Sequence, residues 1–394
     1  MSYKAIRYHL SLPRLARQKF LPRTAKMGAV SSLKSEMVAE PAVAASPGWI
    51  RVKPVLSGIC GSDSSLLLGT SSPYLAPLTS FPAVLGHEVV ARVADGSDTW
   101  VKDTLVAVNP SLSCLALGSD TLCPACANNQ PNWCHHRSRH DLGLLIGFHK
   151  DYPGGFGQYM WVPEGQLVAV PPLMPPSRAV LTEPLTIVLH GLSHVDWDQV
   201  RSVLVIGAGT VGLLTLLALR EGHPAADVVS VARYPQQAEW AGRLGARLVV
   251  RSLADEAVNA YTGTPAPRLW NAPAWRPAGF DLVIDAAGTG SSLQDALGAA
   301  APGGQVLLIG GTGEVKLDLT PVWSRDVTLF GTFGYGGTEH DLFSEAIALL
   351  EKTDLPAEDL VTHIYAARDY KTAFHTVWNK NLGAIKVCLN DFEG

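Results

Sequence analysis

Val203-Leu204-Val205-Ile206-Gly207-Ala208-Gly209-Thr210-Val211-Gly212 carries an apolar run straight into three spaced glycines, and a leucine-rich stretch follows from Leu213. The apolar run suits a strand buried on both faces, and the segment after Gly212 suits a helix. By itself G-x-G-x-x-G is weak, but between a strand and a helix of one βαβ unit it reads as a dinucleotide-binding turn. Gly207 permits the tight turn, Gly209 lets the backbone approach a pyrophosphate, and Gly212 allows close helix packing. The helix N-terminus, opened by Thr210 and Val211, presents the positive end of its dipole. Further apolar runs at 228–231, 282–285, 306–309 and 327–330, most followed by a helical stretch, extend the unit into a doubly wound parallel α/β sheet.

The end of the second strand discriminates between cofactors. An acid there would accept hydrogen bonds from the ribose 2′-hydroxyl of NAD and repel a 2′-phosphate. This chain reads Val231-Ala232-Arg233-Tyr234 instead. Arg233 offers a fork for a phosphate and Tyr234 a flat face for adenine, so NADP(H) is favoured over NAD(H).

The rest of the chain has a different texture. The first 150 residues are rich in Pro, Gly and Ser turns with short β-type runs, as at 50–55 and 83–85, and read as a mostly β domain. A helix is expected over 341–352 and a last strand over 385–389, returning to that first domain. The stretch between Thr262 and Pro277, with Trp270 and Trp275, reads as an exposed loop inserted in the sheet domain. With 394 residues and 47% hydrophobic composition, two or three domains can each bury a core.

Charge excludes several partners. The 31 Lys+Arg against 35 Asp+Glu give no broad basic face, which argues against nucleic acid or an anionic membrane. The longest apolar stretch, near 213–219, falls short of the roughly 20 residues a bilayer span needs. Residues 1–35 carry eight Lys/Arg and no acid, superficially like a transit peptide, but Tyr3-Lys4-Ala5-Ile6-Arg7-Tyr8 alternates as a first strand does. A cytoplasmic location is the expectation, and the six cysteines then read as metal ligands or free thiols.

Four of those cysteines lie within 21 residues. Cys123-Pro124-Ala125-Cys126, then seven residues and Cys134, has the knuckle spacing of a structural zinc lobe, with Cys114 as the fourth thiolate and Asp120 as its rival. Four thiolates close the coordination shell, so such a zinc holds a loop and does no chemistry. A sparser group is Ser57-Gly58-Ile59-Cys60-Gly61-Ser62-Asp63, then Gly86-His87-Glu88, then Thr182-Glu183-Pro184. Thiolate, imidazole and carboxylate together suit a zinc site with a position left open for substrate.

Taken in order, these motifs, together with Gly154-Gly155-Phe156, resemble those of the zinc-dependent medium-chain dehydrogenases/reductases, most closely the threonine/sorbitol dehydrogenase-like branch, over nearly the whole chain. The resemblance implies a GroES-like catalytic domain over 1–184, completed by 338–394, interrupted by a Rossmann domain over 185–337, with zinc in the cleft between. It implies Cys60 and His87 as catalytic zinc ligands, Glu183 as the third ligand or its carboxylate counterpart, Glu88 as an adjacent or exchanging acid, and Ser62 as the hydroxyl that bonds the substrate oxygen. Many relatives have a histidine three residues beyond that hydroxyl, where this chain has Ser65, and Gln158 stands where a Glu often follows Gly-Gly-Phe. The implied function is zinc-dependent hydride transfer between NADP(H) and an alcohol/aldehyde or ketone pair, by a homodimer or homotetramer. Pocket walls are expected from 66–74, 148–152 and 333–335, largely aromatic and aliphatic, which suits a medium-sized, mostly apolar substrate, with a polyol as the alternative. A metal-free NADPH-dependent reductase of activated C=C bonds and a non-catalytic NADPH-binding protein are the competing readings. Neither calls for Cys60, His87 and Glu183 together.

Overall fold

The computed structural model describes residues 2–11, 31–264, 276–336 and 339–393, with Pro13 and Met27 as single further positions. The chain divides into two compact units, Met1–Thr186 with Gly334–Gly394, and Ile187–Phe333.

In the first unit, β1 (Ser2–Tyr8) lies between β2 (Leu33–Ala39) and β4 (Ala83–Val84) in a small antiparallel sheet. The alternation in residues 3–8 thus forms the expected first strand. β3 (Trp49–Gly58), β5 (Glu88–Val93), β6 (Leu105–Val108) and β8 (Leu167–Ala169) continue a larger sheet, with β7 (Met160–Pro163) also paired to β3. Alternate residues of β3 point inward, so Ile50 and Val52 join Val89, Ala91, Val106, Val108, Met160 and Val162 in one core. The helix α1 (Gly61–Leu68) follows β3 directly.

The second unit holds six parallel strands in the order β11-β10-β9-β12-β13-β14: β9 (Ser202–Ile206), β10 (Asp227–Val231), β11 (Leu248–Val250), β12 (Phe280–Asp285), β13 (Ala300–Leu308) and β14 (Thr328–Gly331). That order, running outward in both directions from the first strand, is the doubly wound arrangement. Val203, Leu204, Val205, Leu282, Val283 and Ile284 are fully buried, which is why these strands read as unbroken apolar runs. β11 was not anticipated, since three residues give too short a run to stand out. Of the expected loop between Thr262 and Pro277, residues 265–275 lie outside the described residues; Thr262 closes a helix, and beyond the gap Arg276 is buried and donates to Asn259 Oδ1 at 2.8 Å.

The chain then returns to the first unit. The expected helix is present as Glu339–Lys352. β15 (Val361–Ala366) and β16 (Lys386–Asn390) complete the larger sheet, with β16 antiparallel to β3 through Cys388–Gly58 and Leu389–Ser57. Among the described residues no helix is long and apolar enough to cross a membrane.

Candidate metal and dinucleotide sites

The end of β3 and the start of β5 lie side by side, and each delivers a candidate ligand. Cys60 is the N-cap residue of α1, half-buried, and its backbone N–H donates to Asp63 Oδ2 at 3.0 Å. His87 precedes β5 in a turn held by N–H groups of Gly154, Gly155 and Phe156, which donate to the carbonyls of Val84, Gly86 and Leu85 at 2.8–2.9 Å. That ladder is the physical role of the Gly-Gly-Phe motif. Glu88 opens β5. One ligand atom each of Cys60, His87 and Glu88 lies within 4.8 Å of the others.

The groups around this trio orient it. His87 Nδ1 faces Asp63 Oδ1 at an ion-pair separation of 3.7 Å, and neither atom has a hydrogen-bond partner among the described residues. Asp63, missed in the sequence as a functional residue, could have been found there: it sits three residues after Cys60, the capping-box position. Burial opposes a charge on His87, but Cys60 and Asp63 outweigh it and lift its pKa well above the ordinary histidine range. Ser62 is exposed, with its Oγ 3.5 Å from His87 Nε2, and Ser65 lies one turn on in α1. Phe148 packs its ring 5.3 Å from that of His87, so this expected wall residue is at the site.

The two acids have different partners. Glu88 is 3% exposed and forms a buried ion pair with Lys386 of β16, whose Nζ also donates to the Ile59 carbonyl at 3.5 Å. Glu183, in the first turn of the helix Thr182–Leu192, accepts a 2.7 Å hydrogen bond from the Tyr335 hydroxyl. Burial pushes the Glu183 carboxyl up to about 7, with Glu88 adding to the push and His87 and Tyr335 pulling back. Glu183 thus stands within the electrostatic reach of the trio without joining its tight cluster. Lys386 and Tyr335 carry no local sequence signal for these roles.

The four cysteines 114, 123, 126 and 134 converge as a buried group. Cys134 Sγ lies 3.9 Å from both Cys123 Sγ and Cys114 Sγ. A tetrahedron of about 2.3 Å zinc–sulfur bonds has edges of about 3.8 Å, so the spacing fits zinc and is far too long for a disulfide. Backbone N–H groups of His135 and Cys123 donate to Cys123 Sγ and Cys114 Sγ, each at 3.4 Å. Burial opposes ionisation of Cys123, but the donors around it draw its thiol down to about 6. Asp120 is exposed and outside the group.

In the second unit, Gly207 has φ +96 and lies so close to Ala287 that a Cβ would come within 2.9 Å of it. A Cβ on Gly212 would strike the Gly207 carbonyl, so this glycine is what seats the helix Thr210–Gly222 on the turn. Gly209 is the uncapped N-cap residue of that helix, and the space a Cβ would fill there is open. That opening at the N-terminus of the helix fits a pyrophosphate. Arg233 is exposed just beyond β10, and Tyr234 is the N-cap residue of the next helix, Pro235–Arg243.

Comparison with known proteins bears on the family of the chain. Residues 46–172 match the alcohol dehydrogenase GroES-like domain and residues 210–352 the zinc-binding dehydrogenase domain. The chain is 29% identical to the starvation-sensing protein RspB of Escherichia coli K12 over 324 residues, covering 81% of this chain and 85% of that protein. It is 27% identical to L-idonate 5-dehydrogenase of Vitis vinifera over 355 residues, covering 86% and 87%. The crystal structure of RspB from Escherichia coli CFT073 in complex with NADH shares the fold, at a TM-score of 0.73 and 24% identity, with 99% of each chain covered. With a GroES-like domain and a Rossmann domain following in that order, the chain belongs to the zinc-type medium-chain alcohol dehydrogenase family and is sorbitol dehydrogenase-like.

Proposed function

We propose that this protein is a zinc-dependent oxidoreductase that transfers a hydride between NADP(H) and a small alcohol/carbonyl pair. The cluster of half-buried Cys60 with buried His87 and Glu88 carries the reading, because a thiolate, an imidazole and a carboxylate within 4.8 Å match the donor set of a catalytic zinc. Cys60, His87 and Glu88 or Glu183 would hold that ion, and Cys114, Cys123, Cys126 and Cys134 a second, structural one. When bound, zinc supplies Lewis acidity at the substrate oxygen and the nicotinamide gives or takes the hydride.

The chain's own groups do the rest. Asp63 faces the Nδ1 side of the His87 ring at 3.7 Å, an ion-pair separation, and a carboxylate on that side is a common arrangement for a metal-binding histidine. Ser62, exposed beside His87, takes the alcohol proton and passes it toward Ser65 and solvent. Gly209 and the N–H groups after it receive the pyrophosphate, Arg233 the 2′-phosphate and Tyr234 the adenine face. The relative named L-idonate 5-dehydrogenase directs the substrate screen first to polyhydroxy compounds.

Zinc analysis of the purified protein and of Cys60→Ala tests the proposal. Two zincs per chain should fall to one, and turnover of any alcohol found active should drop by several powers of ten, about 1.4 kcal/mol being lost per tenfold. A folded Cys60→Ala protein with comparable turnover would overturn it.

A further inference from the structure

We infer that the four-cysteine lobe sets the position of Glu183 through Asn132 and Tyr335; the inference rests on the zinc reading above. Asn132 is buried in the one-turn helix Pro131–Trp133, immediately before Cys134. The lobe holds this turn at the Pro131 carbonyl. Cys134 N–H donates to the Pro131 carbonyl at 3.1 Å, and Arg137 ties the same carbonyl at 3.3 Å to Ser111 Oγ and the Leu144 carbonyl, each at 2.8 Å.

From that fixed point Asn132 Oδ1 accepts the backbone N–H of Tyr335 at 3.2 Å. The approach requires glycine at 334, where φ is +72 and a Cβ would collide with the Asn132 carboxamide. At its other end, the Tyr335 hydroxyl donates to Glu183 Oε1 at 2.7 Å. Its ring packs edge-on against Phe343 with centroids 5.3 Å apart, and the side chain is 2% exposed. A tyrosine fastened at the peptide, along the ring and at the hydroxyl is a strut between the lobe and the carboxylate. Closed four-thiolate coordination leaves the lobe no open position for chemistry, and positioning Glu183 gives it a function at a distance. Tyr335 and Asn132 are positioning residues.

The test uses the full chain, with Asn132→Ala, Tyr335→Phe and the double variant. Amide hydrogen exchange is followed in peptides covering Glu183 and Tyr335, and the metal affinity and visible absorption of the Cys60 site are followed with Co2+. Asn132→Ala should speed exchange in both peptides about tenfold, Tyr335→Phe should do so around Glu183, and the double variant should be no worse there than Tyr335→Phe alone. Cobalt affinity at the Cys60 site should fall about 10- to 100-fold in all three, the usual effect of losing an outer partner, while the lobe keeps its metal. Unchanged exchange around Glu183 in Asn132→Ala, or effects that add in the double variant, would overturn the link. Cobalt held by the lobe alone in the wild type would instead refute the zinc reading, and the exchange measurements would still decide the link.

Discussion

Replacing Lys386 with Met removes one half of an ion pair that is almost wholly out of water. Lys386 is 2% exposed and Glu88 3%, and they meet where β16 and β5 flank β3. Breaking a buried pair by deleting one partner costs about 3–5 kcal/mol, because the remaining charge stays buried without compensation. The cost should nearly vanish in Lys386→Met/Glu88→Gln, where both charges are gone. A metal cation at Cys60, His87 and Glu88 would itself compensate Glu88, so the single variant should be least stable after chelation and recover with zinc. Linkage fixes the size of the reciprocal effect: each 1.4 kcal/mol of recovery must reappear as about tenfold tighter zinc binding in the variant. The assay is hydrogen exchange in the strands 88–93 and 386–390, which reads the opening of this unit without assuming that a two-unit chain unfolds in one step. A cost below about 1 kcal/mol in the chelated variant, or a cost that zinc leaves unchanged, would refute the reasoning.

Arg233→Ala should weaken NADP(H) by about tenfold or more while leaving NAD(H) nearly unchanged, one lost charge-assisted contact being worth about 1.5–3 kcal/mol. Titration with both cofactors checks this, and equal loss for the two would remove Arg233 from 2′-phosphate recognition. His149 holds both ring nitrogens in use as the neutral form, Nε2 donating to the Arg139 carbonyl at 3.0 Å and Nδ1 accepting the Asp151 N–H at 3.3 Å. Burial lowers its pKa against the pull of that carbonyl and of Asp151. The unfolded chain therefore takes the proton first, so this contribution is complete above the unfolded pKa of about 6.5 and is lost as pH falls below it. Urea unfolding of the wild type and of His149→Gln between pH 7.5 and 5.5 checks the sign: a slope equally steep in the variant would assign the loss to other groups.

What could be read in the sequence follows from how far apart the cooperating residues are. The Rossmann sheet was legible because its central strands are buried on both faces and carry unbroken apolar runs, and the cysteine lobe because its four cysteines lie within 21 residues. β11 escaped because Leu248-Val249-Val250 is shorter than any periodic signal. The environment of the acids escaped for a different reason. Lys386 lies 298 residues from Glu88, Tyr335 lies 152 from Glu183 and Asn132 lies 203 from Tyr335, so no local pattern records the pairings. Such pairs are created by topology: β16 returns after the whole second unit to lie on β3, and only then is a lysine carried to Glu88. Motifs therefore announce the residues that could hold a metal, while the partners of those residues become visible only once the chain is folded. Gly58 shows the two levels meeting at one position. In sequence it is a small residue two positions before a cysteine, yet in the fold a Cβ there would collide with both Glu88 and Lys386. Its side of β3 must stay empty for the ion pair to exist, so a residue read as part of a metal motif is equally a requirement of the pair behind it.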